Sequence, residues 1–270
     1  PEVLEEALQH FEAEGKLYRV KAIIPVHLYG VPARMNEIMS LAEKYSIPVV
    51  EDAAESLGAT LNGKHTGTFG EFGVYSFNGN KIITTSGGGA LISNDSSKIQ
   101  LARKLATQAR DDAPHYQHSM IGYNYRMSNI CAGIGRGQME VLDERIQQRR
   151  ANFERYLKIF QELGWEIEYQ NERYGVFANR WLSAFYFNPD VFGSNFREEL
   201  RLFLDSLNIE SRPLWKPMHL QPVYDGCQYF GKRNNAERIF DFGLCLPSGS
   251  NLTLEEWERI EKALTEFSKR

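Results

Sequence analysis

The chain has 270 residues, of which 31 are basic and 35 acidic, giving a formal net charge of −4. That balance excludes the broad basic surface that nucleic acid or an anionic membrane would demand, although a local basic patch would serve a nucleotide-linked small molecule. No apolar run of about 18 residues is available to span a bilayer. Cys131, Cys227 and Cys245 form an odd set without metal-ligand spacing, so the expectation is a soluble cytoplasmic chain, long enough for one large domain or two modest ones.

The chain opens on Pro1 and an amphipathic pattern over Val3 to Phe11 that predicts a short helix. An apolar strand is expected over 22–28, then a helix over 34–45. His27 closes that first strand and reads as a partly buried strand-end histidine, outside any catalytic set. Ile47-Pro48-Val49-Val50-Glu51-Asp52 is a second apolar strand over 48–52 that delivers Asp52 at its C-terminal end, where open α/β sheets place their ligand sites. Two other roles stay open for Asp52 here: N-cap of a short helix expected over 53–57, or metal holder as in phosphoryl-transfer proteins. On such a helix Glu55 would sit one turn beyond Asp52 and share its face.

Strands are expected next at 73–77 and 89–93, and between them lies Ser76-Phe77-Asn78-Gly79-Asn80-Lys81-Ile82-Ile83-Thr84-Thr85-Ser86-Gly87-Gly88-Gly89. The plain reading is a hairpin turned at Asn78-Gly79, with Lys81 a solvated edge residue. The glycines follow the lysine, so this is not a phosphate-binding loop of the GxxxxGK[ST] type. A strand-end aspartate followed by a Ser-x-x-x-x-Lys segment is also what pyridoxal phosphate chemistry requires: an amine to hold the cofactor covalently, and an acid to keep its ring nitrogen protonated.

A basic amphipathic helix is expected over 96–110. The polar loop Asp111 to His118 carries two histidines three apart without a third ligand, so no metal is assigned. Gly122-Tyr123-Asn124-Tyr125-Arg126 is an aromatic loop ahead of a helix that Ser128 or Asn129 would cap. From Ile130 to about Leu163 one long helical pattern runs. Beyond Gly164 the texture becomes α+β, with strands near 165–169, 181–187 and 209–212, a helix over 195–207 and a last helix from Leu254 to Phe267. The expected division is a large domain over 1–150 and a smaller one over 151–270.

The segments 50–58, 67–70, 75–81, 84–89 and 122–128, in this order, resemble the DegT/DnrJ/EryC1/StrS family of pyridoxal-phosphate-dependent nucleotide-sugar aminotransferases. The resemblance covers nearly the whole chain. It implies an α/β fold-type-I transferase with an incomplete, mostly parallel sheet and a smaller α+β C-terminal domain. It also implies that a further stretch of roughly a hundred residues precedes Pro1 in relatives. By the same resemblance Lys81 would carry pyridoxal 5'-phosphate and move the proton, Asp52 would pair with the ring nitrogen, Glu55 would bond the ring hydroxyl, and Ser76 the phosphate. Asn124 would reach the phosphate of a neighbouring subunit, which implies a homodimer with composite sites. His219, in Pro217-Met218-His219-Leu220-Gln221-Pro222, would lie on the substrate side. The implied reaction passes an amino group from glutamate to a nucleotide-linked keto sugar for surface-polysaccharide precursors. Asn78-Gly79-Asn80-Lys81 together with Glu55 is closest to enzymes acting at C4 of 4-keto-6-deoxy sugars. Two alternatives remain at this point: amination at C3 or of a cyclitol, and an inactive fragment that only binds cofactor or self-associates.

Overall fold

The computed structural model describes residues 1–231 and 234–270. In chain order the helices are α1 (Glu2–Ala13), α2 (Met35–Tyr45), α3 (Ser96–Ala106), α4 (Asn129–Met139), α5 (Leu142–Glu162), α6 (Pro189–Phe192), α7 (Phe196–Ser206), α8 (Asn235–Phe242) and α9 (Leu254–Phe267). The strands are β1 (Val50–Asp52), β2 (Thr60–Leu61), β3 (Lys64–His65), β4 (Phe72–Ser76), β5 (Gly89–Ile92), β6 (Val176–Phe177), β7 (Ser183–Tyr186), β8 (Arg212–Pro213) and β9 (Gly243–Leu246). They group into two compact units. The first holds Pro1, Phe11–Arg145 and Tyr174–Asn179; the second holds Glu2–His10, Ile146–Arg173 and Arg180–Arg270.

In the first unit β1 pairs parallel with β4, and β4 pairs antiparallel with β5. On the far side of β1 the expected strand over 22–28 is reduced to two parallel bridges, Ile23 with Val49 and Val26 with Asp52. The cause is Pro25. Its carbonyl accepts from Asp52 N–H at 2.9 Å, but its nitrogen has no proton to return, so the ladder breaks there. Register places Gly73 opposite Glu51. A Cβ on Gly73 would stand 2.0 Å from the Gly67 carbonyl oxygen, so only glycine lets the 67–70 loop lie against β4. A second small sheet, in the order β3-β2-β6, brings residues 174–179 back to this unit.

Helix α2 buries Met35, Ile38 and Ala42, one face at helical spacing, and ends on Ser46 in the left-handed conformation. Asp95 caps α3 by accepting from the backbone of Ser97 and Lys98, and Ser128 caps α4 by accepting from Cys131. The single long helix expected from Ile130 to about Leu163 is interrupted at Glu140 and Val141, which makes α4 and α5 separate helices. No helix forms over 53–57. The Asp52 carboxylate takes the Ala54 N–H at 3.1 Å, and successive three-residue turns follow, Ser56 N–H to Ala53 and Ala59 N–H to Ser56. These local bonds compete with the helical ladder and win.

The second unit is built on the antiparallel sheet β7-β9-β8, in which every residue of the central strand β9 is buried. Its core is aromatic: Phe185 stacks on Phe153 at 5.3 Å and meets Phe160 edge-on at 4.9 Å, with Tyr156 and Trp257 in the same cluster. α9 starts with a reciprocal capping box between Thr253 and Glu256 and buries Trp257, Ile260, Ala263, Leu264 and Phe267. Among the described residues no helix is long and apolar enough to cross a membrane.

Candidate active site

Strand alternation sends Glu51 and Asp52 to opposite faces of β1, and the two carboxylates meet different chemistry. Glu51 is fully buried. It accepts the backbone N–H groups of Gly67 at 2.7 Å, Phe69 at 2.5 Å and Gly70 at 2.7 Å. A fourth bond comes from His27 Nε2 at 3.0 Å. The Ala33 N–H donates to His27 Nδ1 at 3.0 Å, so Nδ1 is the acceptor and Nε2 carries the proton given to Glu51. Burial pushes the Glu51 carboxyl up, but the bonds from His27 and from the backbone of Gly70 and Gly67 outweigh it and hold the group below its ordinary range.

Glu55 faces Lys81. Its Oε2 accepts the Tyr29 N–H at 2.6 Å, and its Oε1 stands 3.9 Å from Lys81 Nζ. The Glu55 side chain is 6% exposed and that of Lys81 12%, so neither is the surface residue that a helix face or a hairpin edge would present. Tyr29 is buried and takes a left-handed backbone (φ 57°) at the point where its N–H meets the carboxylate. Asn179, also buried, donates Nδ2 to the Glu55 and Leu57 carbonyls at 2.9 Å each and its backbone N–H to Gly30 at 3.2 Å. It ties together the two turns that carry Tyr29 and Glu55.

Burial raises the Glu55 carboxyl to about 7, against the Tyr29 hydrogen bond and the Lys81 charge, while Asp52 raises it further. The Lys81 amine is lowered by its own burial, although Glu55 and Asp52 oppose that shift. An amine that sheds its proton more readily and a carboxyl that titrates near neutrality, side by side, are equipped to pass a proton.

Lys81 lies in the connection between β4 and β5, and the hairpin over 74–85 does not form, because the partner of β4 is β5. Ile82 and Ile83 beside it are buried, and the Thr85 N–H bonds the Phe77 carbonyl at 2.9 Å, so the loop is plugged into the unit. Of the glycine run, Gly89 has a structural cause: a Cβ there would come within 2.3 Å of the Tyr75 carbonyl oxygen. Ser76 ends β4, and its Oγ accepts the Asn78 N–H at 3.4 Å. Asn124 is exposed in the 122–126 loop, where Tyr123 and Tyr125 stack at 5.2 Å. His219 belongs to the second unit, half-buried between the Glu237 carboxylate at 2.9 Å and the Tyr229 ring at 3.9 Å. Within the first unit the chain thus brings Lys81, Glu55 and Asp52 together. Glu51, Tyr29 and Asn179 were not singled out from the sequence. Glu51 had a signal, a charge inside an apolar strand on the face opposite Asp52; Asn179, more than a hundred residues from its partners, had none. Among the described residues no group of three or more His, Cys, Asp or Glu side chains is placed to hold a metal ion.

The profile of the DegT/DnrJ/EryC1/StrS aminotransferase family matches residues 2–265. The chain belongs to this family. Among its relatives is EpsN of Bacillus subtilis, proposed by its name to be a pyridoxal phosphate-dependent aminotransferase, 48% identical over 98% of this chain and 67% of that protein. The GDP-perosamine synthase of Escherichia coli O157:H7 is 36% identical over 92% of this chain and 66% of its own length. A crystal structure of a DegT/DnrJ/EryC1/StrS aminotransferase from Brucella abortus superposes with a TM-score of 0.87 at 26% identity, over 100% of this chain and 70% of that one. The chain thus spans about two thirds of the length of the curated relatives it matches. Its mixed α/β architecture is that of the pyridoxal-phosphate aminotransferases of this family.

Proposed function

We propose that the chain holds pyridoxal phosphate on Lys81 and transfers an amino group to a nucleotide-linked keto sugar. The observation that carries this reading is the buried Lys81 amine set 3.9 Å from Glu55, at the strand end that also bears Asp52. The residues fit that cofactor. A lysine whose burial favours the neutral amine is a competent nucleophile. Ser76 has an O–H with no acceptor among the described residues, ready for an anionic oxygen. When bound, pyridoxal phosphate supplies the electron sink that makes amino transfer possible.

The rest is the work of the chain. Asp52, with one oxygen on the Ala54 N–H, offers its carboxylate to a protonated ring nitrogen and keeps that proton in place. Glu55, fixed through Oε2 by Tyr29, offers Oε1 to the ring hydroxyl or to the Lys81 ammonium. Lys81 Nζ moves the proton at the donor carbon, a role that its lowered basicity favours. Glutamate is the proposed donor. A 4-keto-6-deoxy sugar is the proposed acceptor, supported by the Asn78-Gly79-Asn80-Lys81 segment, by Glu55 and by the likeness to GDP-perosamine synthases. His219 is proposed on the substrate side.

A second copy of the chain is proposed to cover the loop and helix around Asn124, where Ile121 is 84% exposed, Tyr125 77% and Ile130 78%. Three uncrosslinked cysteines suit a cytoplasmic enzyme.

The test is to add pyridoxal phosphate, reduce with borohydride and locate the adduct by mass spectrometry. An adduct confined to Lys81 and lost in Lys81→Ala supports the reading, and adducts scattered over surface lysines overturn it. Product analysis with 4-keto and 3-keto nucleotide sugars then separates amination at C4 from amination at C3.

A further inference from the structure

Glu51 and His27 form a fully buried pair that no step of the proposed chemistry uses, yet it sits next to everything the chemistry needs. The His27 backbone N–H bonds the Asp52 carbonyl at 3.1 Å, while its side chain bonds Glu51. The same imidazole accepts the Ala33 N–H, and the His27 carbonyl accepts the Gly30 N–H at 3.2 Å. These bonds close the segment 27–33 into a loop whose second residue after His27 is Tyr29. A buried tyrosine at φ 57° is an unfavourable conformation for a residue with a Cβ, and it persists only where the surroundings impose it. What it delivers is the 2.6 Å bond to Glu55 Oε2.

We propose that the His27–Glu51 pair is a positioning device for the Lys81 amine. It folds the segment 27–33 so that the Tyr29 N–H grips Glu55 Oε2 and leaves Oε1 facing Lys81 Nζ. The pair acts through backbone geometry and touches neither substrate nor cofactor. Its anchor is the Glu51 carboxylate, fixed from the other side by the N–H groups of Gly67, Phe69 and Gly70. A carboxylate with four donors stays put, and the histidine that reaches it inherits that rigidity. The charged groups that face Glu55 are Lys81, from the loop between β4 and β5, and Asp52, from β1. When the Tyr29 bond is lost, the Glu55 carboxyl is held neutral to higher pH, and Lys81 loses the neighbouring charge that supports its ammonium. The Lys81 amine then becomes reactive at lower pH.

This inference rests on the reading of Lys81 as the working lysine, but its test needs no cofactor, so the two can fail separately. Competitive labelling of the chain with acetic anhydride across pH, read by mass spectrometry at Lys81, gives the midpoint at which that amine becomes nucleophilic. In His27→Asn the midpoint is expected to fall by about half a pH unit or more. In a Glu55→Gln background the same His27→Asn change is expected to leave the midpoint where Glu55→Gln alone puts it. A merely structural histidine would not show that dependence on Glu55. An unmoved midpoint in folded His27→Asn overturns the proposal, and so does an equal shift in the Glu55→Gln background. Should His27→Asn not fold, Glu51→Gln is measured in its place, with the same downward shift expected and an unmoved midpoint decisive against it.

Discussion

Lys81 Nζ and Glu55 Oε1 stand 3.9 Å apart, both largely buried, and the carboxyl partner titrates near 7 rather than 4.5. A carboxyl raised in the folded state binds its proton more tightly there than in the unfolded chain. Its stabilisation is therefore complete below about pH 4.5 and is lost as pH rises through about 7. The difference amounts to on the order of 3 kcal/mol. Glu55→Gln keeps an acceptor for the Tyr29 N–H and cannot ionise. Urea unfolding of the two proteins at pH 5 and pH 8 should show the variant gaining on the parent by about 2 to 3 kcal/mol at the higher pH. A constant difference between the two pH values would mean that Glu55 is not desolvated.

Gly73 and Gly67 make a second sharp test, because the Gly67 carbonyl occupies the space that a Cβ on Gly73 would need, at 2.0 Å. Gly73→Ala must push the 67–70 loop off β4 and pull the Gly67 N–H away from Glu51. A loss of about 3 kcal/mol is expected, together with a weaker borohydride-trapped adduct at Lys81. Gly79→Ala is the control, since nothing lies within 4 Å of its would-be Cβ. That change should stay within about 0.5 kcal/mol of the parent.

Much of the first unit is legible in the sequence because short-range chemistry dictates it. The apolar run ending at Asp52 and the run before Ser76 are strands, α2 covers nearly the expected 34–45, and Ser128 is the cap of α4. α9 matches its expected span, Leu254 to Phe267, because a capping box and a regular apolar face both announce it. Failures arise where a local bond competes with a ladder. Pro25 cuts the 22–28 strand, and the Asp52 to Ala54 bond replaces the helix over 53–57. The resemblance points to Glu55, but the shared helix face expected to place it beside Asp52 does not form. It reaches Lys81 through turns, and what fixes it there is the backbone of Tyr29, a contact 26 residues away that periodicity cannot express. The small β2, β3 and β6 sheet and the central strand β9 depend on distant pairings in the same way.

The second unit should respond most to its aromatic centre. Phe185 is fully buried and touches the rings of Phe153, Tyr156 and Phe160. Phe185→Ala leaves a cavity that three rigid rings cannot fill, at a cost of about 3 to 5 kcal/mol. The exposed Leu254→Ala change, at the start of α9, should cost a few tenths at most. Thermal or urea denaturation followed by tryptophan fluorescence reads both, since Trp257 meets Tyr156 of the same cluster at 4.9 Å in a tilted contact.

The surface around Asn124 gives the last prediction. Ile130 and Ile134 project from α4 one turn apart, and Tyr123 and Tyr125 stack beside them; all four are exposed. If this is the face that meets a second copy, as proposed, replacing both isoleucines by aspartate should convert a two-chain species into a one-chain species in sedimentation velocity, because each new charge would meet its own copy. The role of Asn124 can be separated from mere association by mixing variants. In a dimer with composite sites, a Lys81→Ala chain still lends Asn124, and an Asn124→Ala chain still carries Lys81. Refolding the two together gives mixed dimers in half of the population, each with one intact site of two, so about a quarter of the parent cofactor adduct should return. The Lys81→Ala chain cannot form that adduct, and the Asn124→Ala chain alone should bind cofactor weakly. If the mixture forms no more adduct than the Asn124→Ala chain contributes by itself, Asn124 serves its own subunit or none.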